Sequence, residues 1–327
     1  MEIAETMRAL VQKSPGGPPT LVDDVPRPIP GRGELLIRVA AAGVNFADVM
    51  QAQGTYGGGP ETPYVAGFEA VGEVIDAGPG TATPLGTRVV GTGPGAFAQY
   101  MTMPDAGVLQ VPEGWPDAAA LGMVLNWATA LTALRPLGDV RPGSVVLVHA
   151  AAGGVGQAAV RLALHHGARV IATASPPKHD TVRALGVKEV LDGSRPDLAD
   201  AIMRLTGGVD LVLESVGLTT FAASLSVAKP YTGRVVVFGA ASGDASLTTH
   251  DLVFRYPVQV RGLHIGTFAS TVPHLYEEVV AELHALITKG VYPPGNPHVH
   301  ALADGPQLLQ DLEAGRTIGK HALDPWA

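Results

Sequence analysis

At 327 residues the chain is long enough for two domains, and 46% apolar against 16% charged residues supply buried cores and exclude a disordered protein. Its net charge of −8, with 22 lysines and arginines scattered among 30 acids, argues against a nucleic-acid partner. No cysteine is present, so disulfides, zinc–thiolate centres, iron–sulfur clusters and cysteine nucleophiles are excluded together.

The first ten residues mix Glu2, Glu5 and Arg8 among small residues and hold no apolar signal-peptide core. Strands are expected at 7–11 and 21–22, around a turn built from Pro15, Gly16, Gly17, Pro18 and Pro19. Pro26, Pro28, Pro30, Gly31 and Gly33 then stiffen the link into a strand at 34–42. Residues 43–110 are dense in glycine and proline, with β-rich pieces at 70–76, 88–91 and 97–103. Such short strands between turn signals predict a compact, partly open β-barrel-like domain.

Pro116, Asp117 and Ala118 open a helix expected to continue through 119–134. From Ser144 the alternation is regular. Strands at 145–149, 169–174, 189–191, 209–214, 235–239 and 258–262 are separated by helical stretches, clearest at 157–167, 178–185 and 198–205. That order implies a doubly wound parallel sheet with helices on both faces. Helices at 272–289 and 305–314 and a strand at 320–323 complete the chain. The uncharged stretches 118–134 and 144–160 fall short of the roughly 20 apolar residues of a membrane span. The expectation is a cytoplasmic protein with no membrane partner. It is an α/β chain in which residues 1–125 and 268–327 form the barrel-like domain and 126–267 a Rossmann domain.

The strand 145–149 runs into Ala150-Ala-Ala-Gly-Gly-Val-Gly156, where a helix begins at once. Laid over residues 151–156, the G-x-G-x-x-G pattern keeps its second and third glycines, Gly153 and Gly156, and has Ala151 in place of the first. Gly153 lets backbone approach a pyrophosphate, and Gly156 lets helix pack closely on strand. The helix N-terminus turns free N–H groups and a positive dipole end toward phosphates. Ala152, Gly153, Gly154 and Val155 are therefore cofactor-binding candidates. The next strand ends at Ser175, followed by Pro176, Pro177 and Lys178, with no carboxylate before Asp180. An acid there would hold the 2′-hydroxyl of NAD, whereas a hydroxyl and a cation suit a 2′-phosphate. Ser175 and Lys178 thus favour NADPH.

With these residues in place, the chain resembles the medium-chain dehydrogenase/reductase superfamily, and more narrowly its zinc-free, zeta-crystallin-like quinone oxidoreductases. The stretches that carry the resemblance are Gly43-Val-Asn-Phe-Ala-Asp48, Gly54-Thr-Tyr56, Val65-Ala-Gly-Phe-Glu-Ala-Val-Gly-Glu73, His149-Ala-Ala-Ala-Gly-Gly-Val-Gly156 and Val236-Val-Phe-Gly239. The resemblance implies a GroES-like catalytic domain, a Rossmann domain and a homodimer joined through sheet edges near 236–260. In the family's zinc enzymes a cysteine stands at the place of Asn45 and a histidine at that of Phe68. Neither ligand is present, and no metal is expected. His298 with His300, and His165 with His166, read as surface or packing residues.

By the same resemblance, Asn45 lies beside the nicotinamide ribose or substrate, and Tyr56 is a substrate contact, a proton donor or an anchor of its own loop. Asp48 is expected to hold its loop. Thr129, Ser215, Val216, Phe238, Gly239, Ala240 and Lys320 are implied as further cofactor contacts. Hydride transfer without a Lewis acid suits quinones and α,β-unsaturated carbonyl compounds, which are already electrophilic. An enoyl-thioester or 2-alkenal reductase uses the same residues. An NADPH-binding protein with little turnover is the alternative of another class.

Overall fold

A computed structural model describes residues 5–327, and its backbone divides into two compact units. The first comprises residues up to Val124 together with Pro294–Ala327, and the second is Leu125–Pro293.

The first unit begins with β1 (Thr6–Gln12), β2 (Thr20–Pro26) and β3 (Glu34–Val44), then helix α1 (Phe46–Gln53). Next come β4 (Tyr64–Val65), β5 (Glu69–Ala77), β6 (Arg88–Thr92), β7 (Tyr100–Pro104) and β8 (Leu109–Gln110). The second unit contains α2 (Ala128–Leu134), β9 (Val145–Val148), α3 (Gly154–His165), β10 (Arg169–Thr173), α4 (His179–Ala184), β11 (Glu189–Leu191) and α5 (Leu198–Thr206). It continues with β12 (Leu211–Glu214), α6 (Phe221–Val227), β13 (Arg234–Val237), α7 (Thr249–Phe254), β14 (Gln259–Gly262), α8 (Ile265–Thr271) and α9 (Pro273–Thr288). The chain then returns to the first unit as β15 (His298–Ala301), α10 (Gly305–Glu313) and β16 (His321–Asp324).

In the first unit, β3 is long enough to pair with β5, β7 and β16, so it is the spine of a sheet ordered β15-β16-β3-β5-β6-β8. Shifts of register in the β3–β5 ladder, near Ile37 and Ala41, bend that sheet toward a barrel. Leu35, Ile37, Val39, Phe97, Met101 and Met103 fill its interior, each at most 1% exposed. Burial of such side chains contributes about 1.5–3 kcal/mol apiece.

The second unit is a parallel sheet ordered β11-β10-β9-β12-β13-β14 among the described residues. The order reverses between β9 and β12, the position at which doubly wound sheets accept ligands beyond their strand ends. Leu147, Ile171, Val212 and Val235 make the buried strand core, with Ile202 and Leu225 packed on it from α5 and α6.

Three expectations change. The second unit extends to Pro293 rather than 267, because α9 packs on α2 and Tyr292 stacks on Trp127 at 3.6 Å between ring centroids. The helix expected across 116–134 is broken into a 3-10 turn (Asp117–Ala120), a π-helical turn (Met123–Trp127) and α2. Gly122, with φ +92°, lies at the break. By length and composition Asp117–Leu134 would pass for a membrane span, but 78% of it is buried inside the protein. Finally, α1 stands where only loops and short strands were expected.

Candidate active site

The reason for α1 is local. Asn45 is its N-cap in extended conformation, and Asp48 Oδ2 accepts the Asn45 backbone N–H at 2.7 Å. Gly54, at φ +74°, ends the helix. The side chains of Asn45 and Asp48 are both almost wholly buried.

Around Asn45 the first unit builds a polar cluster from four segments. Glu69, with no exposed surface, opens β5. Its Oε1 accepts the Gly122 backbone N–H at 2.6 Å, and its Oε2 accepts Asn45 Nδ2 at 2.9 Å. Lys320, immediately before β16, donates from Nζ to Glu69 Oε2 at 2.5 Å and to Asn45 Oδ1 at 2.6 Å. Its third acceptor is the Val44 carbonyl at 3.3 Å. Gly43 makes room, since a Cβ there would overlap the Glu69 carboxylate.

The charges of this cluster do not balance if every group ionises. Lys320 neutralises Glu69, and Asp48 is left buried with no hydrogen-bond partner at Oδ1. Burial accordingly pushes the Asp48 carboxyl up to about 8, against the lowering effects of the Asn45 N–H and Lys320. Burial thus favours the protonated form of Asp48. Tyr56 follows Gly54, and burial, then Asp48, raises its phenol above the ordinary range.

The donor set around position 45 is poorly suited to a metal. At position 45 a carboxamide stands where the zinc enzymes have a cysteine, and its oxygen is bound by an ammonium ion. Among the described residues no group of three or more His, Asp or Glu side chains is arranged to hold a metal ion. A divalent cation beside Lys320 would meet like charge and lack its thiolates, so these residues do not fit zinc.

In the second unit the candidates gather at one end of the parallel sheet. Ala150, at φ +47°, turns the chain out of β9, and Gly153 caps α3. A Cβ on Gly156 would overlap the Ala150 carbonyl and the Ala151 backbone, so only glycine permits this approach of helix to strand. Gly153 has no such neighbour; its hypothetical Cβ meets only the Ala150 oxygen, at 3.4 Å. Ala152 is buried, while Gly153, Gly154 and Val155 are half-buried around the first turn of α3. Asn126 lies beside Gly154, and Thr129 is buried on α2, which packs on α3.

Ser175 is exposed at the end of β10 and caps a 3-10 turn, Pro176–Lys178, that leads into α4. The two prolines thus start a helix, with Lys178 half-buried at its head and its amine lowered by burial. Asp180 is paired with Arg183 at 3.0 Å.

The loops after β12 and β13 interlock. Ser242 and Ala241 donate backbone N–H to Val216 and Ser215 carbonyls at 2.7 and 3.2 Å, and a Cβ on Gly239 would crowd Ser215. Ser215, Val216, Phe238, Gly239 and Ala240 are all half-buried there. The structure thus assembles the proposed cofactor residues as two groups. One surrounds the carboxyl ends of β9, β10, β12 and β13; the other is the Asn45 and Lys320 pair of the first unit, while Tyr56, the catalytic candidate, lies just past the end of α1.

Two residues in these regions escaped the sequence reading. Glu69 lies in the Val65–Glu73 stretch, and its signal is a buried carboxylate that opens β5 ahead of the uncharged Ala70, Val71 and Gly72. Glu214 ends β12 in the same way. Its carboxylate accepts backbone N–H groups of Val216 and Gly217 at 2.8 and 3.0 Å and hydroxyls of Thr220 and Ser224. Since Ser224 donates to Glu214, its oxygen accepts from His149 Nε2–H at 3.0 Å, and His149 Nδ1 accepts from Thr173 at 2.9 Å. Burial lowers the His149 pKa and keeps the ring neutral. This serine hydrogen-bonds a carboxylate in a sealed interior, which is not the arrangement of a hydrolase nucleophile.

Comparison with known proteins agrees with this architecture. Residues 31–113 match the alcohol dehydrogenase GroES-like domain, and residues 154–285 match the zinc-binding dehydrogenase domain. The chain is 32% identical to the human synaptic vesicle membrane protein VAT-1 homolog, over 91% of this chain and 80% of that protein. It is 43% identical to erythronolide synthase EryA2 of Saccharopolyspora erythraea over 92% of its own length, but spans about 8% of that much longer protein. Among solved structures it is similar to mycobacterial Rv1454c complexed with NADPH (35% identity, TM-score 0.91, 98% of this chain and 100% of that one). The Pseudomonas syringae pv. tomato quinone oxidoreductase gives 30% identity and a TM-score of 0.90, covering 98% and 100%. The CurK enoyl reductase gives 28% and 0.87, covering 97% and 99%. The chain belongs to the medium-chain dehydrogenase/reductase superfamily, alongside its zeta-crystallin-like quinone oxidoreductases.

Proposed function

We propose that this protein is an NADPH-dependent oxidoreductase that reduces quinones or activated α,β-unsaturated carbonyl compounds without a metal ion. The observation that carries the reading is the pairing of a glycine-dependent dinucleotide turn with a position 45 unfit for zinc. The quinone oxidoreductase and the NADPH complex among its structural relatives support it.

When bound, NADPH supplies a hydride from its nicotinamide ring. The chain's own part is binding, orientation and exclusion of water. Gly153 and the first N–H groups of α3 receive the pyrophosphate, and Ser175 with Lys178 meets the 2′-phosphate. Val216, Phe238, Gly239 and Ala240 form the wall along the interlocked loops, and Thr129 lies on α2 behind the turn. Asn45 orients the nicotinamide ribose or the acceptor. Tyr56 contacts the acceptor, and the proton that follows hydride comes from solvent or a nearby hydroxyl. Orientation of this kind supplies much of a rate enhancement where no Lewis acid polarises the carbonyl. The protein acts as a homodimer joined along β14, the edge strand, on which Val260 is 37% exposed; light scattering in solution tests this.

A second acceptor class has its own support. The 43% identity to a polyketide synthase and the likeness to the CurK enoyl reductase favour an enoyl thioester as substrate. Steady-state NADPH oxidation against quinones, enones and enoyl thioesters separates the two, and the acceptor with the highest kcat/KM identifies the class. Tight NADPH binding with no turnover on any acceptor would instead support a binding protein.

A further inference from the structure

We propose that Glu69 is a positioning residue that, together with Lys320, fixes which way the Asn45 carboxamide faces. The inference rests on the reading above, in which that amide orients the nicotinamide ribose or the acceptor.

An asparagine side chain can rotate by half a turn about its last bond, exchanging an acceptor oxygen for a donor nitrogen at nearly equal volume. The capping box already offers the side chain one backbone donor, the Asp48 N–H. Its other neighbours make the same choice. Lys320 brings an ammonium, which can only donate, against Oδ1, and Glu69 brings a carboxylate, which accepts, against Nδ2. The Gly43 carbonyl, 3.2 Å from Nδ2, makes the same demand. Turned over, the amide would set N–H against ammonium and oxygen against carboxylate.

Glu69 holds both sides of this arrangement. Its Oε2 anchors the ammonium and the amide nitrogen together, while Oε1 is tied to the Gly122 N–H. With Glu69 fully buried and Lys320 only 14% exposed, solvent does little to screen these bonds. All three protons of the ammonium have acceptors inside the first unit: Glu69, Asn45 and Val44. Lys320 is therefore spent on positioning rather than on direct hold of a ligand. The bare Cα of Gly43 is the space this arrangement requires.

The test combines Glu69→Gln with Asn45→Ala in a double-mutant cycle and follows the Asn45 side-chain amide by NMR in the cofactor-free protein. Wild type is expected to show one amide environment with slow hydrogen exchange, and Glu69→Gln a shifted, faster-exchanging one. In turnover, Glu69→Gln is expected to lose about 10-fold or more in kcat/KM. It should lose nothing further in the Asn45→Ala background. Lys320→Gln serves as a second probe should Glu69→Gln not fold. An unchanged Asn45 amide in the variant, or losses that multiply in the double mutant, would overturn the proposal. Absence of turnover in wild type would count against the functional reading alone, because the amide signal still decides the positioning role.

Discussion

Lys320 and Asn45, 275 residues apart in sequence, meet with the ammonium 2.6 Å from the carboxamide oxygen. The contact exists because β16 pairs antiparallel with the end of β3, His321 opposite Val44, which carries the residue before β16 to the residue after β3. A cation supplied by the chain thus contacts Asn45, the residue that by resemblance takes the place of a cysteine ligand in the zinc enzymes of the superfamily.

Gly156→Ala should damage the cofactor turn most directly. The added methyl overlaps the Ala150 carbonyl, which is backbone and cannot swing aside. Overpacking of this kind costs about 1–3 kcal/mol. We expect a lower melting temperature and loss of NADPH binding by fluorescence titration. Retained affinity at unchanged stability would show that helix and strand do not need this approach.

Asp48 makes stability depend on pH. Its carboxyl is raised from 3.8 to about 8 in the folded protein, so its protonated form is the one the fold prefers. That contribution is fully present below about 4 and is lost as pH rises through about 8, by a few kcal/mol at most. Asp48→Asn keeps an acceptor for the Asn45 N–H and has no charge to develop. Its advantage over wild type in chemical denaturation should grow from pH 5 to pH 9; a constant difference would refute the assignment.

These two residues mark how far the sequence could be read. The parallel sheet was legible because its strands are apolar runs punctuated by helices and glycines, and the turn before α3 carries its pattern within six consecutive residues. The helix α1 was not, because Asn45 and Asp48 cap it inside a stretch rich in glycine and proline. The cluster of Glu69, Lys320 and Gly122 joins segments that only the sheet brings together. The extent of the second unit was missed for a like reason, since the stacking of Tyr292 on Trp127 leaves no local trace.

The cofactor preference has its own test at Lys178. Burial lowers the pKa of this amine, and a 2′-phosphate beside it would favour the charged form again. Lys178→Ala should weaken NADPH binding about 10-fold or more while sparing NADH, measured as dissociation constants. Equal loss for both cofactors would remove Lys178 from the 2′-phosphate site.

His321 opposes acid. Burial, with His300 and His298 adding like charge, lowers its pKa to about 4, and His300 Nε2 lies 3.0 Å from His321 Nδ1. A depressed histidine contributes stability above its unfolded pKa near 6.5 that is lost as pH falls toward 4. His321→Phe should flatten the melting temperature between pH 6.5 and 4; an unchanged acid slope would place the sensitivity elsewhere.

The central claim, metal-free reduction by NADPH, is tested most directly by turnover after exhaustive treatment with a strong chelator. NADPH oxidation in the presence of a quinone or an enone should continue at the untreated rate, and added zinc should not raise it. No turnover with either acceptor, or activity that returns only with zinc, would contradict the account.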